Sequence, residues 1–310
     1  MDLFRLQEFR LYYNTHIHPE LMRTERLRRR LLLLLFISLL LGLAIMGVLM
    51  YLNMAGFTLL LLMPLVFYML YLGWRIQEFR RTFKPRVMRL VLDFMQQGVN
   101  YDQLSYDAKR SIAKSRFQQS GLFKTSAPYY LGEDYITGLV GMMPFELSEL
   151  SVRELSPLTN KLQEVFEGIF VYAIFGEDAE GSIRVWPRRH KKYLTRSIKE
   201  FAFSGGSNQD EEMMNPEFRE LFLVYATEDT HVAGILSEPM QAALVQFVHR
   251  TDKDVYISFH NREIYAGVTS ERDLLEPFVF RSNLSFELIY TFYRDISLAL
   301  KIIEDFDQTH

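Results

Sequence analysis

Two pairs of closely spaced carboxylates, Glu133 with Asp134 and Glu146 with Glu149, are of the residue types that acid–base chemistry or Mg²⁺ binding requires. One carboxyl of a pair can hold a proton while the other accepts one, and several hard oxygens can share a cation. Solvated or ion-paired strand ends produce the same pattern without any chemistry. Asp229 and His231, with Ser237 downstream, are the residue types of a nucleophilic triad, although a chain of 310 residues brings such types together by chance. His16 and His18 offer only two imidazoles, too few for a zinc site. The basic run Arg188-Arg189-His190-Lys191-Lys192 can meet headgroups or an acidic partner, or be an ordinary solvated loop.

Complete motifs are absent from the sequence. It has no G-x-x-x-x-G-K-[ST], no G-x-G-x-x-G after a strand, no H-E-x-x-H and no G-x-S-x-G. Zero cysteine removes disulfides, thiolate catalysis, iron–sulfur ligation and cysteine-type zinc sites together. We therefore expect no cofactor and assign no catalytic or metal residue outright. Glu133, Asp134, Glu146, Glu149, Asp229 and His231 are the candidates for any function of this kind.

The elements that would position these residues follow from the charge pattern. Residues 31–74 are 44 consecutive positions without Asp, Glu, Lys or Arg. A helix crosses about 30 Å of hydrocarbon with roughly 20 residues, so this run suits two spans, 31–52 and 57–74, with a turn at Asn53-Met54-Ala55-Gly56. A cleaved signal peptide would be shorter and nearer the start. No ionisable residue lies within the spans to mark an ion pathway, and Gly42, Ala44 and Gly47 offer small faces for helix packing.

Basic residues flank both spans: Arg23, Arg26, Arg28, Arg29 and Arg30 before the first, and Arg75, Arg80, Arg81, Lys84, Arg86 and Arg89 after the second. Positive residues stay on the cytoplasmic side, so both termini are expected there, with these eleven side chains facing anionic headgroups at about 1 kcal/mol each. Residues 1–89 hold 13 Lys and Arg against 5 Asp and Glu, leaving 22 against 33 in residues 90–310. So acidic a main domain is not expected to bind nucleic acid through its overall field.

Four segments result: a basic, amphipathic N-terminal segment, 1–30; the transmembrane hairpin, 31–74; a helical stalk or connector, 75–120, closed by Gly98 and a short helix over 107–118; and a domain over 121–310. The N-terminal segment can lie on the membrane surface or pack on the soluble domain. Strands are expected at 135–141, 145–152, 167–175, 183–186, 221–226, 232–236, 255–260 and 263–268. The last two should be joined by a tight turn at Asn261-Arg262. The run 169–175 is apolar on both faces and belongs near the centre of a sheet. Helices are expected from a cap at Ser237 with Pro239 in the first turn, and over 285–306. The polar section 188–212 should be mobile in its second half. The fold class is α+β, a mainly antiparallel sheet with flanking helices and a long C-terminal helix, on an N-terminal two-helix hairpin.

Several runs carry a resemblance. Phe145-Glu146-Leu147-Ser148-Glu149-Leu150, Phe166-Glu167-Gly168-Ile169-Phe170, Val185-Trp186-Pro187, Pro216-Glu217-Phe218, the run from Phe222 to Asp229 and Ile235-Leu236-Ser237-Glu238-Pro239-Met240 resemble the bacterial domain-of-unknown-function family thirty-one thirty-seven. Gly132-Glu133-Asp134-Tyr135-Ile136 is also similar, whereas the section 188–212 departs from the pattern. The resemblance implies a bacterial, two-span inner-membrane protein with a cytoplasmic α+β domain, sometimes encoded beside LemA-like proteins, and implies no catalytic residues.

Function is then expected to be non-catalytic: a membrane-anchored interaction, scaffold or regulatory module that binds a protein partner or itself. The alternatives are an unrecognised enzyme acting on a membrane-proximal substrate, and a subunit of an oligomeric channel or transport assembly.

Overall fold

A computed structural model describes residues 3–52, 55–98, 100–156, 160–174, 181–270 and 277–307. The chain forms two compact units, one of Met1–Phe94 with Leu275–Phe292 and one of Met95–Leu274 with Tyr293–His310.

In the first unit, α1 (Leu3–Tyr12) runs through a π-helical turn (Tyr13–Ile17) into α2 (His18–Tyr51), with Pro19 directly after the π-turn in one continuous helix. After Ala55–Phe57, α3 (Thr58–Gln96) extends well past the apolar run, so the second span and the stalk are one helix. Two stretches, within Arg5–Tyr51 and Leu60–Gln96, are long and apolar enough to cross a membrane. Side chains such as Leu33, Phe36, Phe67 and Leu70 stay exposed, as lipid-facing residues do. Leu31, Ser38, Leu49 and Leu72 are buried, and Gly42 lies so close to Leu65 that a Cβ would come 3.0 Å from its Cδ2. Asn53 and Met54 of the expected turn lie outside the described residues.

The N-terminal segment packs on the end of α3 and on residues 284–290. Phe9 is fully buried, with its ring centroid 5.1 Å from Phe94 and 6.0 Å from Phe286; Tyr13 donates to the Leu284 carbonyl at 2.8 Å. Buried Arg28 donates to both oxygens of Glu25, at 2.9 and 2.6 Å, and to the Val279 carbonyl at 2.6 Å. Thus α2 is stapled to the segment before the C-terminal helix.

The second unit contains β1 (Tyr101–Asp107), α4 (Lys114–Gln119), β2 (Tyr129–Val140), β3 (Met143–Leu155), β4 (Leu162–Ile174), β5 (Ser182–Pro187), α5 (Lys191–Phe203), β6 (Gly206–Asn208), α6 (Pro216–Leu221), β7 (Phe222–Thr227), α7 (Val232–Ile235), α8 (Glu238–Thr251), β8 (Val255–His260) and β9 (Glu263–Thr269). The last helix, α9 (Phe286–Asp307), begins in the first unit and ends in the second. The strands form one antiparallel sheet in the order β1-β2-β3-β4-β9-β8-β5-β7-β6. The α+β class is as expected, and so are the position of β4 near the centre and the turn at Asn261, where φ is 54°.

One face of the sheet carries Val152, Phe166, Phe170, Tyr172, Tyr265, Tyr256, Trp186 and Leu223, and this aromatic surface is covered by residues 112–127 and by α5. Phe117 stacks on Phe123 at 5.4 Å and meets Phe170 at 5.2 Å; Phe123 meets Tyr256 at 4.9 Å. Residues of the other parity in the central strands, among them Val171, Ala266, Ile257 and Val185, are buried too. Burial on both faces explains why these strands read as continuous apolar runs. At Gly168 (φ 150°) a Cβ would sit 2.2 Å from the Val268 carbonyl, so glycine is what lets β4 lie against β9 there.

Three expectations fail. Residues 232–235 are helical, because a short apolar run without alternation does not tell strand from helix. Helix 107–118 shrinks to α4, and the polar edge strand β1 occupies 101–107 within the expected helical connector. The polar section 188–212 is ordered: α5 buries Leu194 and Ile198, one turn apart, and residues 206–208 pair with β7 as the edge strand β6. Its high charge masked the helical spacing.

Arg28 and its hydrogen bond hold the Glu25 carboxyl below its ordinary range. A carboxyl lowered on folding stabilises above its unfolded pKa, and that contribution is lost as pH falls through the folded value. Removing one partner of a buried pair costs about 3–5 kcal/mol, whereas replacing both by apolar groups is often neutral. In melts of the full-length protein in detergent, Glu25→Gln should therefore lower the Tm more than Glu25→Leu with Arg28→Met. Only the wild type should lose stability steeply below pH 4.5. Equal losses in the single and double variants would show that the pair is not coupled.

Candidate functional site

Folding β2 against β3 about Gly141-Met142 sets Val140 opposite Met143 and Ile136 opposite Leu147. Continued without interruption, that register would put Asp134 opposite Glu149. Instead the register slips between Glu133 and Ile136, and Glu133 becomes the partner of Glu149. The extra residue is Asp134, in a left-handed conformation (φ 58°) that Asp tolerates better than most residues. Its side chain is buried, and Tyr106 on β1 donates to its Oδ1 at 2.6 Å. Burial, with Asp134 beside it, pushes the Tyr106 hydroxyl pKa up, so this donor keeps its proton.

The bulge thus gathers three carboxylates. One oxygen each of Glu133, Asp134 and Glu149 lies within 4.8 Å of the other two; Glu133 is exposed and Glu149 half-buried. Oxygens bound to a common Ca²⁺ at about 2.4 Å stand at most twice that far apart, so the spacing suits a hard divalent cation with water completing its shell. The same oxygens can equally receive a basic side chain.

Glu146 lies elsewhere. Three positions from Glu149 on a strand, it points to the opposite face, so these two carboxylates do not form a pair. It is ion-paired with Arg116, whose guanidinium sits 4.1 Å from the centre of the Tyr172 ring. Tyr172 donates to Glu263 Oε1 at 2.8 Å and Tyr265 to Glu263 Oε2 at 2.7 Å. Burial, reinforced by Glu263, pushes Tyr172 up to about 12, and Tyr265 rises for the same reasons. Periodicity does not foresee this network, because Glu263 and Arg116 read as ordinary surface charges.

Asp229 and His231 are exposed in the turn after β7, and the buried Ser237 hydroxyl has no hydrogen-bond partner, so no triad is assembled. A serine–histidine pair does occur at Ser182 and His260, opposed across β5 and β8, with Oγ 2.6 Å from Nδ1. The hydrogen bond to the other ring nitrogen comes from Asn261 at 3.3 Å, not from a carboxylate that would orient a base. Of the eleven basic residues expected at headgroups, Arg26, Arg30, Arg80, Arg81, Arg86 and Arg89 are exposed, Arg23, Arg29 and Arg75 are ion-paired on the surface, and Arg28 and Lys84 are buried. Arg188 and Arg189 are spent on Asp210 and on Asp252 and Asp254.

Two measurements test these arrangements. If the three carboxylates hold a cation, millimolar Ca²⁺ or Mn²⁺ should raise the Tm of the full-length protein by a few degrees, and Glu149→Gln should remove the increase; no increase in the wild type rules the cation out. The buried tyrosines Tyr106, Tyr130, Tyr172, Tyr256 and Tyr265 all have raised pKa values. A neutral group raised on folding contributes stability below its unfolded pKa, here about 10, and loses it as pH climbs through the folded value. The Tm should hold steady up to pH 10 and fall steeply beyond it, and Tyr265→Phe should blunt the fall.

No curated protein and no solved structure matches the chain. The runs at 132–136 and 145–150 that carried part of the resemblance lie outside the matching segment, and those from Phe166 onward lie inside it. Residues 164–308 match the model of the family described as "Protein of unknown function (DUF3137)", the family that the sequence resembles.

Proposed function

We propose that this protein is a membrane-anchored interaction module of a bacterial inner membrane, with its termini and sheet domain on the cytoplasmic side. It works by binding a protein partner or a second copy of itself. The observation that carries this reading is the bare outer end of β2, β3 and β4. There Leu155 faces Leu162 across the strands, Tyr129 faces Arg153 and Leu131 faces Ser151. Tyr129, Leu131, Leu155 and Leu162 are 48%, 71%, 46% and 51% exposed. β1 pairs only with residues 135–140, so the first part of β2 has no strand outside it among the described residues. Leu131 and Glu133 point to the same side, which places the three carboxylates in the next row. The complementary surface is therefore apolar. The excess of basic residues at the ends of the spans supports the orientation.

An enzyme acting on a membrane-proximal substrate is the second reading, and it rests on the carboxylates at the bulge alone.

The test is native mass spectrometry of the full-length protein released in mild detergent or nanodiscs. The wild type should carry a stoichiometric partner or form a defined oligomer. Leu131→Asp with Leu162→Asp should reduce it to a lone protomer with an unchanged melting curve, since both side chains are half exposed or more. A wild type that is a clean monomer without partners sinks the reading.

A further inference from the structure

We infer that the outer face of α5 is a second membrane contact, docking on the anionic lipid surface of the bilayer that the chain's own hairpin can cross. Leu194, Ser197 and Ile198 are buried on the inner side of the helix, and Phe201 lies against the Arg184 guanidinium and Trp186. Tyr193, Arg196, Lys199 and Phe203 recur at spacings of three, three and four, forming one stripe on the other side. Tyr193 is 87% exposed and Phe203 92%, and Arg196 and Lys199 are exposed as well. An aromatic ring thus stands at each end of a pair of cations, as in helices that lie in a bilayer interface.

Charge singles the helix out. Residues 90–310 hold 33 acidic against 22 basic residues, yet α5 has Lys191, Lys192, Arg196 and Lys199 against Glu200 alone, and Glu200 is taken up by Lys124. Lys191, Arg196 and Lys199 have no carboxylate within ion-pair distance among the described residues, whereas Arg188 and Arg189 just before them are fully engaged. The unneutralised charge of the basic run therefore sits on the helix, not on the loop before it.

An anionic bilayer repels most of this domain and attracts this stripe, so the contact orients as well as holds. A membrane is the favoured occupant because the same chain holds it at high effective concentration, which makes even a small contact significant. An acidic protein surface has no such advantage.

The absence of cysteine permits a direct test on the full chain. A nitroxide is placed at Phe203→Cys, or separately at Tyr193→Cys, and the protein is reconstituted in nanodiscs of phosphatidylcholine alone or with phosphatidylglycerol. Electron paramagnetic resonance with oxygen and a water-soluble nickel chelate reads the label's depth. In the anionic discs the label should become several-fold less accessible to nickel and more accessible to oxygen. Arg196→Glu with Lys199→Glu should restore the aqueous values. Equal nickel accessibility in both lipids overturns the inference, as does protection that is independent of lipid composition, which would indicate contact with protein.

Discussion

The sheet domain depends on how an irregular segment is buried. Residues 110–127 cross the aromatic face with only one short helix, α4, and buried backbone N–H and C=O groups are costly unless paired. The sheet and α5 supply the partners from side chains. Trp186 donates its indole N–H to the Leu122 carbonyl at 3.0 Å, and Ser258 donates to the Ser120 carbonyl at 2.6 Å. Ser148 accepts from the Ile112 N–H at 3.1 Å, Ser197 on α5 accepts from the Lys124 N–H at 2.8 Å, and Tyr130 donates to the Ile112 carbonyl at 2.7 Å. Serines in the middle of otherwise apolar strands, such as Ser148 and Ser258, are there to meet the backbone that crosses above them.

Arg184 extends the same principle to a charge. Its guanidinium is buried with no carboxylate paired to it among the described residues; it donates to the carbonyls of Ile183 and Phe259 and lies over the Phe201 ring. Burial pushes its pKa down to about 10, which leaves it protonated at neutral pH. A Cβ on Gly121 would come 2.9 Å from the guanidinium, and Gly121 itself adopts φ 64°. The left-handed conformation is what favours glycine there, with the cation directly beneath it. The inner side of α5 closes this arrangement through Phe201, which is why its cations and exposed aromatics are left on the outside.

How much of this was legible depended on whether a single energetic cause dominated locally. The charge-free run 31–74 had one explanation, and two apolar helices result. Strands β2 to β5 and β7 to β9 were readable because burial imposes alternation or continuous apolar character. β1 was not, because an edge strand such as Tyr101–Asp107 buries little and its residues carry no pattern. α5 was hidden by its own surface charge. The gathering of Glu133, Asp134 and Glu149 required a register that a hairpin count nearly supplies, plus a bulge that no residue type announces. Glu25, Arg28 and Glu263 read as surface charges, since nothing in composition says that a charge has a buried partner.

Sheet parity decides what the carboxylates can do. On the face that carries Glu146, its charge is answered by Arg116, and Glu263 accepts two tyrosine hydroxyls, so the acids there are satisfied within the fold. On the other face, Glu133 and Glu149 stand directly opposite each other with Asp134 beside them, and Tyr106 donates to Asp134. Leu131 lies in the adjoining row on the same side, 71% exposed, so an apolar row and an acidic row stand side by side at this end of the sheet. A free cation bound at the acids would leave the leucine row in water, whereas a protein surface presenting apolar side chains would bury it. That difference is the physical reason for preferring an interaction module to an enzyme.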